Sequence, residues 1–159
     1  MLLGLGLLAF VSLVSCKEAA KEDNEAMAEP AFDLAMAKQE IIDANKEFMD
    51  RFNAADSVGV ASLYAPDAKF MMNGAPAIVG REHIQTNMHG IISSGVTKLN
   101  LVTVEVWGNE EYVTEEGTIQ LFAGDQQVFQ GKYVLLWKSI DGKWYLFRDC
   151  FNSDLALTP

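Results

Sequence analysis

The sequence contains few of the residues on which metal sites and nucleic-acid sites depend. Its 159 residues include two cysteines and two histidines, and 12 basic side chains stand against 22 acidic ones, which gives a formal charge of -10. This negative charge would repel phosphate backbones, so we expect no nucleic-acid partner. The two histidines, His83 and His89, are six residues apart on a predicted helix and therefore lie on different sides of it. We accordingly predict no metal site and no cofactor.

Basic residues are also absent from the first 16 positions, although a signal peptide normally opens with positive charge. Positions 2–14 are apolar apart from Ser12. This length suits a signal-peptide core and is shorter than the roughly 20 residues of a membrane-spanning helix. We interpret residues 1–15 as a targeting segment that is not part of the folded domain.

The apolar run ends in LVSC, positions 13–16, which resembles the lipobox of bacterial lipoproteins. The resemblance implies that Cys16 carries lipid and anchors the protein in a bacterial cell envelope, on the periplasmic side or at the cell surface. An ordinary secretory signal with an incidental cysteine is the alternative. Residues 16–30 are rich in Ala, Glu and Lys, lack aromatic residues and end at a proline, which predicts a flexible acidic tether. The folded domain is then expected over residues 31–159.

The second cysteine has no partner for a disulfide if Cys16 carries lipid. Cys150 lies in the apolar stretch WYLFRDCF, with no histidine nearby in the sequence. A reactive thiol normally needs a base or a positive charge beside it. We therefore expect Cys150 to be a buried structural thiol rather than a nucleophile.

Three helices are predicted in the first half of the domain. Apolar residues recur at spacings of three and four over residues 32–55, which is typical of an amphipathic helix. A shorter helix, capped by Asp56 or Ser57, is predicted to end before Pro66. A third helix is predicted over residues 80–95.

The second half of the domain has the composition of a β-sheet. After a short strand over residues 67–72, four longer segments rich in β-branched and aromatic residues are separated by the hairpin signals GNE, AGD and DG. They predict a four-stranded antiparallel meander. The segments KYVLLW and WYLFRDCF are apolar at odd and even positions alike, so both faces of this sheet must be covered. The helices can cover one face, and a second copy of the chain is the simplest cover for the other.

Several segments resemble the SnoaL-like and DUF4440 branch of the NTF2-like superfamily, which also includes ketosteroid isomerase and has a cystatin-like fold. They are SLYAPDAKF, GREHI, EEGTI and GKYVLLWKSIDGKWYLFRDCFNSD, within about residues 33–154. The resemblance implies an α+β cone in which three N-terminal helices pack on a curved, mainly antiparallel sheet. It also implies a pocket between the helices and the inner face of the sheet, and a homodimer across the outer face. It does not imply one activity, because this fold hosts many.

Two acidic residues are candidates for proton transfer, although the sequence leaves open which face of the sheet each occupies. Glu115 shares a strand face with apolar residues, where burial would suit it to exchange a proton, and it matches the family's E-x-G pattern. Pairing of Glu115 with an arginine is the alternative. Asp149 matches the family's recurrent aspartate and would act as a base, as a ligand-orienting group or in a structural role. The remaining candidate ligand-binding residues are Tyr64, Phe70, Met72, His83, Trp107, Trp137 and Asn152.

Three functions remain open at this point. The preferred one is a lipid-anchored domain that binds a small, partly apolar molecule in its cone. The second is an isomerase-like or dehydratase-like enzyme that uses Glu115 or Asp149 as general acid or base. The third is a homodimeric interaction module whose pocket is filled by its own side chains. Without a cavity of ligand size, on the order of 300 Å3, beside Glu115 or Asp149, the first two would lose their site. A carboxyl group in an apolar pocket without an oxyanion donor within hydrogen-bond distance would favour binding over catalysis.

Overall fold

The computed structural model describes residues 31–154, so the predicted targeting segment, the predicted tether and Cys16 lie outside the described residues. Its three helices are α1 Leu34–Asn53, α2 Ser57–Ser62 and α3 Arg81–Ser93. Its six strands are β1 Tyr64–Met72, β2 Ile78–Val79, β3 Lys98–Gly108, β4 Tyr112–Ala123, β5 Gln126–Ile140 and β6 Lys143–Ser153. None of the helices in this part of the chain is long and apolar enough to cross a membrane.

The three predicted helices are confirmed, and their ends follow from local side chains. The carboxylate of Asp33 caps α1, and that of Asp56 accepts a hydrogen bond from the amide of Gly59 at the start of α2. Helix α2 ends at Ser62, and the chain passes directly into β1, which therefore begins earlier than predicted. Pro66 lies in β1 within a register shift, where its missing N–H breaks no regular ladder of hydrogen bonds.

Helix α1 buries a stripe of residues against the rest of the domain. Four of its five buried residues are apolar, as the periodicity predicts, and the fifth is Asn45, in the middle of the stripe. Asn45 is only 3% exposed. A buried amide is stable only if it is hydrogen-bonded, so this position marks a polar contact between α1 and the sheet.

The sheet has the strand order β2-β1-β6-β5-β4-β3. The predicted meander of β3 to β6 is confirmed as antiparallel, whereas β1 joins β6 in parallel. Register shifts interrupt the β1–β6, β3–β4, β4–β5 and β5–β6 pairings, and such bulges bend a sheet. The domain is therefore the expected α+β fold, with its helices packed on one curved and mainly antiparallel sheet.

The outer face of the sheet is apolar over part of its area. Val102, Val104, Trp107 and Val134 are each between 43% and 56% exposed in the single chain. Val134 is exposed although its neighbours Tyr133 and Leu135 are buried, because successive side chains of a strand point to opposite faces. The strands are apolar at successive positions because apolar side chains lie on both faces of the sheet.

The prediction that Cys150 is buried is wrong. Cys150 is exposed and pairs in register with Val134. Its neighbour Asp149 faces the inner side of the sheet, so alternation along β6 turns Cys150 outward. The stretch around it is apolar because both faces of this strand carry apolar groups, and local composition therefore did not distinguish the two faces.

Candidate functional site

A single row of buried side chains crosses five strands on the inner face of the sheet. Phe70 of β1, Asp149 of β6, Leu135 of β5, Glu115 of β4 and Val106 of β3 are successive partners in register. All five are buried. Both candidate carboxyl groups thus face inward, and the backbones that carry them are two strand spacings apart, about 10 Å.

Glu115 is completely buried and fully hydrogen-bonded by neutral donors. Its Oε1 accepts hydrogen bonds from Asn45 Nδ2 at 2.6 Å, Thr103 Oγ1 at 2.8 Å and the Tyr133 hydroxyl at 2.8 Å. Its Oε2 accepts one from Trp137 Nε1 at 2.9 Å. No arginine pairs with it among the described residues. Glu115 therefore ties α1 to β3, β4 and β5, and the protein itself occupies both of its oxygens.

Gly117 explains the spacing of the E-x-G pattern. It lies opposite Tyr133 in register, and a Cβ built on it would be 2.1 Å from the Cζ of the Tyr133 ring. Only glycine leaves room for the ring to lie across β4. The Tyr133 hydroxyl reaches Glu115 because of this space, so the glycine and the glutamate act together.

Asp149 has a single hydrogen-bond partner among the residues that the structure describes, and its side chain borders a cavity. Its Oδ2 accepts a hydrogen bond of 2.5 Å from the Tyr64 hydroxyl. Burial raises the pKa of Asp149 to about 6, the hydrogen bond from Tyr64 opposes this rise, and the charge of Glu115 adds to it. Burial and the nearby Asp149 charge hold the pKa of Tyr64 well above its ordinary value. Tyr64 therefore remains a donor at neutral pH.

Neither buried carboxyl group has a cationic partner among residues 31–154. Arg148 precedes Asp149 on β6 but is turned away from it, and its Nη1 donates to the backbone oxygens of Asp67 and Phe147. The ion pairs in this part of the chain all lie at the surface. They are Lys46–Asp50, Arg51–Glu47, Arg51–Asp56 and Lys132–Asp154.

A narrow cavity lies between the helices and the inner face of the sheet. Its volume is about 50 Å3. This is well below the roughly 300 Å3 at which drug-sized pockets begin, so the described residues do not form the cavity that a ligand of that size requires. Three of its lining residues are polar: Asn45, Tyr133 and Asp149. The rest are apolar: Phe48, Phe52, Phe70, Met88, Ile91, Leu99, Leu101, Ile119, Leu121, Leu135, Leu146 and Phe151. The cavity therefore has one small polar region in an otherwise apolar space.

Five of the predicted site residues are brought together by the fold. Phe70 and Asp149 line the cavity. Tyr64, Glu115 and Trp137 are buried and belong to the hydrogen-bond groups around the two carboxyls. Side chains from β1, β4, β5 and β6 thus converge on the inner face of the sheet.

The other four predicted site residues do not line this cavity. Met72 is half-buried at the end of β1. His83 is exposed at the start of α3, where its Nδ1 lies 2.9 Å from the Val79 oxygen. Trp107 lies on the outer face, and Asn152 is exposed near the end of β6.

Three residues of the site were not identified from the sequence: Asn45, Thr103 and Tyr133. Asn45 did leave a signal, because it is a polar residue on the apolar stripe of α1. Tyr133 alternates with Leu135 and Trp137, which places it on the inner face but does not reveal its partner. Within the described residues, no group of three or more His, Cys, Asp or Glu is placed to hold a metal ion.

Comparison with solved structures identifies the same fold in several bacterial proteins. A protein with a cystatin-like fold from Nostoc punctiforme is 18% identical with a TM-score of 0.66, over 77% of this chain and 95% of that one. An NTF-2-like protein from Shewanella oneidensis is 16% identical with a TM-score of 0.67, over 74% and 100%. A ketosteroid isomerase-like protein from Erwinia carotovora is 20% identical with a TM-score of 0.62, over 77% and 97%. Identities this low show a shared fold alone and carry no statement about activity.

Comparison of the sequence with family models gives a match that covers well over half of the chain. The model of the SnoaL-like domain matches residues 45–147, from Asn45 on α1 to Phe147 on β6. No protein of curated function matches the sequence. The matched span includes Glu115 and ends two residues before Asp149. The chain belongs to the SnoaL-like domain family, with the NTF2-like fold that its residues predict.

Proposed function

We propose that this domain binds a small, partly apolar molecule in its cone and is held at the cell envelope by lipid on Cys16. The observation that carries the binding proposal is the position of Asp149. It is a buried carboxyl group at the polar region of an otherwise apolar cavity, and residues 31–154 donate a hydrogen bond to only one of its oxygens. A few convergent polar groups in an apolar cavity are typical of a ligand site.

The size of the cavity limits the ligand. A volume of about 50 Å3 holds a slender chain of a few heavy atoms and is too small for a fused ring system. Met88 of α3 lies on the wall, and an unbranched thioether side chain changes conformation easily. We therefore expect the cone to accept an unbranched apolar chain, and to accept a longer one by movement of this side of the wall.

Catalysis is the second candidate, and the pKa of Asp149 is the observation that favours it. A carboxyl group with a pKa of about 6 suits general acid–base chemistry near neutral pH. Isomerisation next to a carbonyl also needs donors aimed at the developing oxyanion. The hydroxyls of Tyr64 and Tyr133 both donate to carboxyl groups of the protein, so neither is free for this task. Binding without reaction therefore fits the geometry better.

The anchor and the dimer complete the proposal. The LVSC run supports lipidation of Cys16, and the similarity of the closing segment to the DUF4440 branch supports a homodimer through the outer face. The exposed apolar residues Val102, Val104 and Val134 favour such an interface. An interaction module with a filled pocket would share this interface, and the narrowness of the cavity favours that alternative.

Ligand carried through purification tests the binding proposal. The protein is purified gently, and its bound small molecules are measured by native mass spectrometry and extraction. Leu121→Trp fills the cavity and should remove the bound molecule, whereas Val102→Trp adds the same ring on the outer face and should retain it. A protein that carries no molecule and binds no added alkyl compound would be a filled module.

Substitution of Cys16 tests the anchor. Cys16→Ser removes the thiol that lipid needs, so we expect the variant to leave the membrane fraction. Partition between membrane and soluble fractions measures this. Unchanged membrane association of the variant would contradict lipidation at Cys16.

A further inference from the structure

We propose that the cone selects a protonated amine on a slender apolar chain, an alkylammonium, in preference to a carbonyl compound or a carboxylate. This inference rests on the proposed function, because it names the class of ligand for the same cavity. Three features of the polar region carry it: the direction of its hydrogen bonds, an unpartnered oxygen of Asn45, and uncompensated negative charge.

The polar hydrogens around the cavity are already donated to the protein. The single hydroxyl hydrogen of Tyr64 goes to Asp149, and that of Tyr133 goes to Glu115. The Nδ2 group of Asn45 donates to Glu115 and to Thr103. The atoms that remain for a ligand are oxygens with lone pairs, so the cavity offers acceptors and needs a ligand that donates.

The orientation of the Asn45 amide is fixed by its contact with Glu115. The atom 2.6 Å from Oε1 of the carboxylate must be the nitrogen, because two oxygens at this distance would repel. Oδ1 therefore points away from Glu115, and it is buried without a hydrogen-bond partner among the described residues. Asn45 lines the cavity. An unsatisfied buried acceptor is unfavourable. Oδ1 is closed off from the cavity in this structure, so a small movement of the Asn45 side chain would be needed for a ligand N–H to satisfy it.

The charge of the site also favours a cation. Glu115 and Asp149 are both buried, and the ion pairs of residues 31–154 lie elsewhere, at the surface. With a pKa of about 6, Asp149 is mostly ionised at pH 7.5. A buried carboxylate without a counter-charge is costly, and an ammonium group beside it would offset that cost. A carboxylate ligand would meet like charge and no free donor.

Binding of three six-carbon probes tests the selectivity. The full chain with Cys16→Ser avoids competition from lipid and detergent, and calorimetry at pH 7.5 compares n-hexylamine, 1-hexanol and hexanoate. We expect n-hexylamine to bind at least tenfold more tightly than hexanoate and several-fold more tightly than 1-hexanol. Hexanoate that binds as tightly as the amine, or more tightly, overturns the inference and leaves the proposed function standing. Absence of binding by all three probes overturns both.

Two matched variants connect the selectivity to Asp149. Asp149→Asn keeps the shape of the side chain and an acceptor for Tyr64 but removes the charge. It should weaken n-hexylamine binding at least tenfold and leave 1-hexanol within about twofold. Asp67→Asn removes an equal charge from an exposed position on β1 and should change neither. Unchanged amine binding in Asp149→Asn contradicts the inference.

The pH dependence of binding gives the same test without a substitution. The groups that face Asp149 are Tyr64, Tyr133 and Glu115, and burial raises the pKa of both tyrosines above its ordinary value, so both stay neutral. Protonation of Asp149 at pH 5 should weaken n-hexylamine binding about tenfold relative to pH 7.5. Binding of 1-hexanol is the control and should change little. Equal amine affinity at the two pH values overturns the inference.

Discussion

Glu115 and Asp149 occupy the same row of the same sheet face, yet their surroundings differ completely. Four neutral donors hold the two oxygens of Glu115, whereas Asp149 has one donor and faces the cavity. Leu135 lies between them in register. The difference teaches that burial alone does not identify a functional carboxyl group. The number of hydrogen bonds from the protein distinguishes a structural carboxyl group from one that remains available to a ligand.

The largest expected effect is the loss of stability when the Glu115 carboxylate is removed. Glu115→Ala leaves four donors without this acceptor, and each buried unsatisfied group costs roughly 1–3 kcal/mol before relaxation. We expect the free energy of unfolding to fall by about 3–5 kcal/mol in urea denaturation. Asp149→Ala leaves only the Tyr64 hydroxyl without its acceptor and should lower the free energy of unfolding clearly less. Equal losses in the two variants would contradict the distinction between a structural and an available carboxyl group.

A smaller effect is expected in the pH dependence of stability. The pKa of Asp149 rises from 3.8 to about 6 on folding, so between these values the folded state holds a proton that the unfolded chain has released. The contribution of this proton to the free energy of unfolding is complete below about pH 4. It is lost as the pH rises through 6, and the loss is about 2–3 kcal/mol.

Asp149→Asn provides the matched comparison for this pH dependence, because it cannot titrate. The free energy of unfolding of the variant relative to the wild type should rise by about 2–3 kcal/mol between pH 4 and pH 7.5. Urea denaturation at four pH values measures it. A constant difference across this range would mean that Asp149 is not the buried acid described above.

The next effect concerns the space beside Gly117 that lets the Tyr133 ring reach Glu115. Gly117→Ala places a methyl group against the Tyr133 ring and should displace its hydroxyl from Glu115, at a cost of about 1–3 kcal/mol. In a Tyr133→Phe background the same change should cost less, because the hydrogen bond is already absent. Gly90→Ala is the control, since Gly90 lies in α3 with nothing within 4 Å, and it should stabilise slightly. Equal costs of Gly117→Ala in the two backgrounds would exclude this explanation.

The smallest expected effects follow from removal of one hydrogen-bond donor, either the single donor to Asp149 or one of the four donors to Glu115. Tyr64→Phe removes the one hydrogen bond that lowers the pKa of Asp149, so its titration midpoint should rise above 6 in carboxyl NMR. Thr103→Val removes one of the four donors to Glu115 and should leave that midpoint in place. Each variant should lose roughly 0.5–1.5 kcal/mol of stability. A midpoint shift in Thr103→Val but not in Tyr64→Phe would reverse the assignment.

Local patterns predicted most of the fold because its long elements have clear periodicity. Helices α1 and α3 and strands β3 to β6 all show it, whereas β2 has only two residues and gives no periodic signal. The parallel pairing of β1 with β6 was not predicted, because it joins residues about 80 positions apart. Resemblance to a family supplied the order and curvature that periodicity does not contain.

The candidate site was predicted only in part, for a related reason. Alternation along β4 placed Glu115 among apolar residues, and the structure confirms that inner face. Its partners Asn45 on α1 and Tyr133 on β5 are 70 and 18 positions away, and no local pattern connects residues so far apart. Trp107 and Cys150 were misleading because the outer face is apolar too, so hydrophobic composition did not reveal which side was covered.

The contact between Asn45 and Glu115 has a consequence for how the chain folds. It closes a loop of 70 residues, whereas the partners of Glu115 on β3 and β5 are at most 22 residues away. Contacts between distant residues are entropically costly and tend to form late. We therefore expect the hairpins to assemble around Glu115 first and α1 to dock afterwards. A change at Asn45 should then accelerate unfolding while leaving the refolding rate almost untouched, which gives a low φ-value for this position.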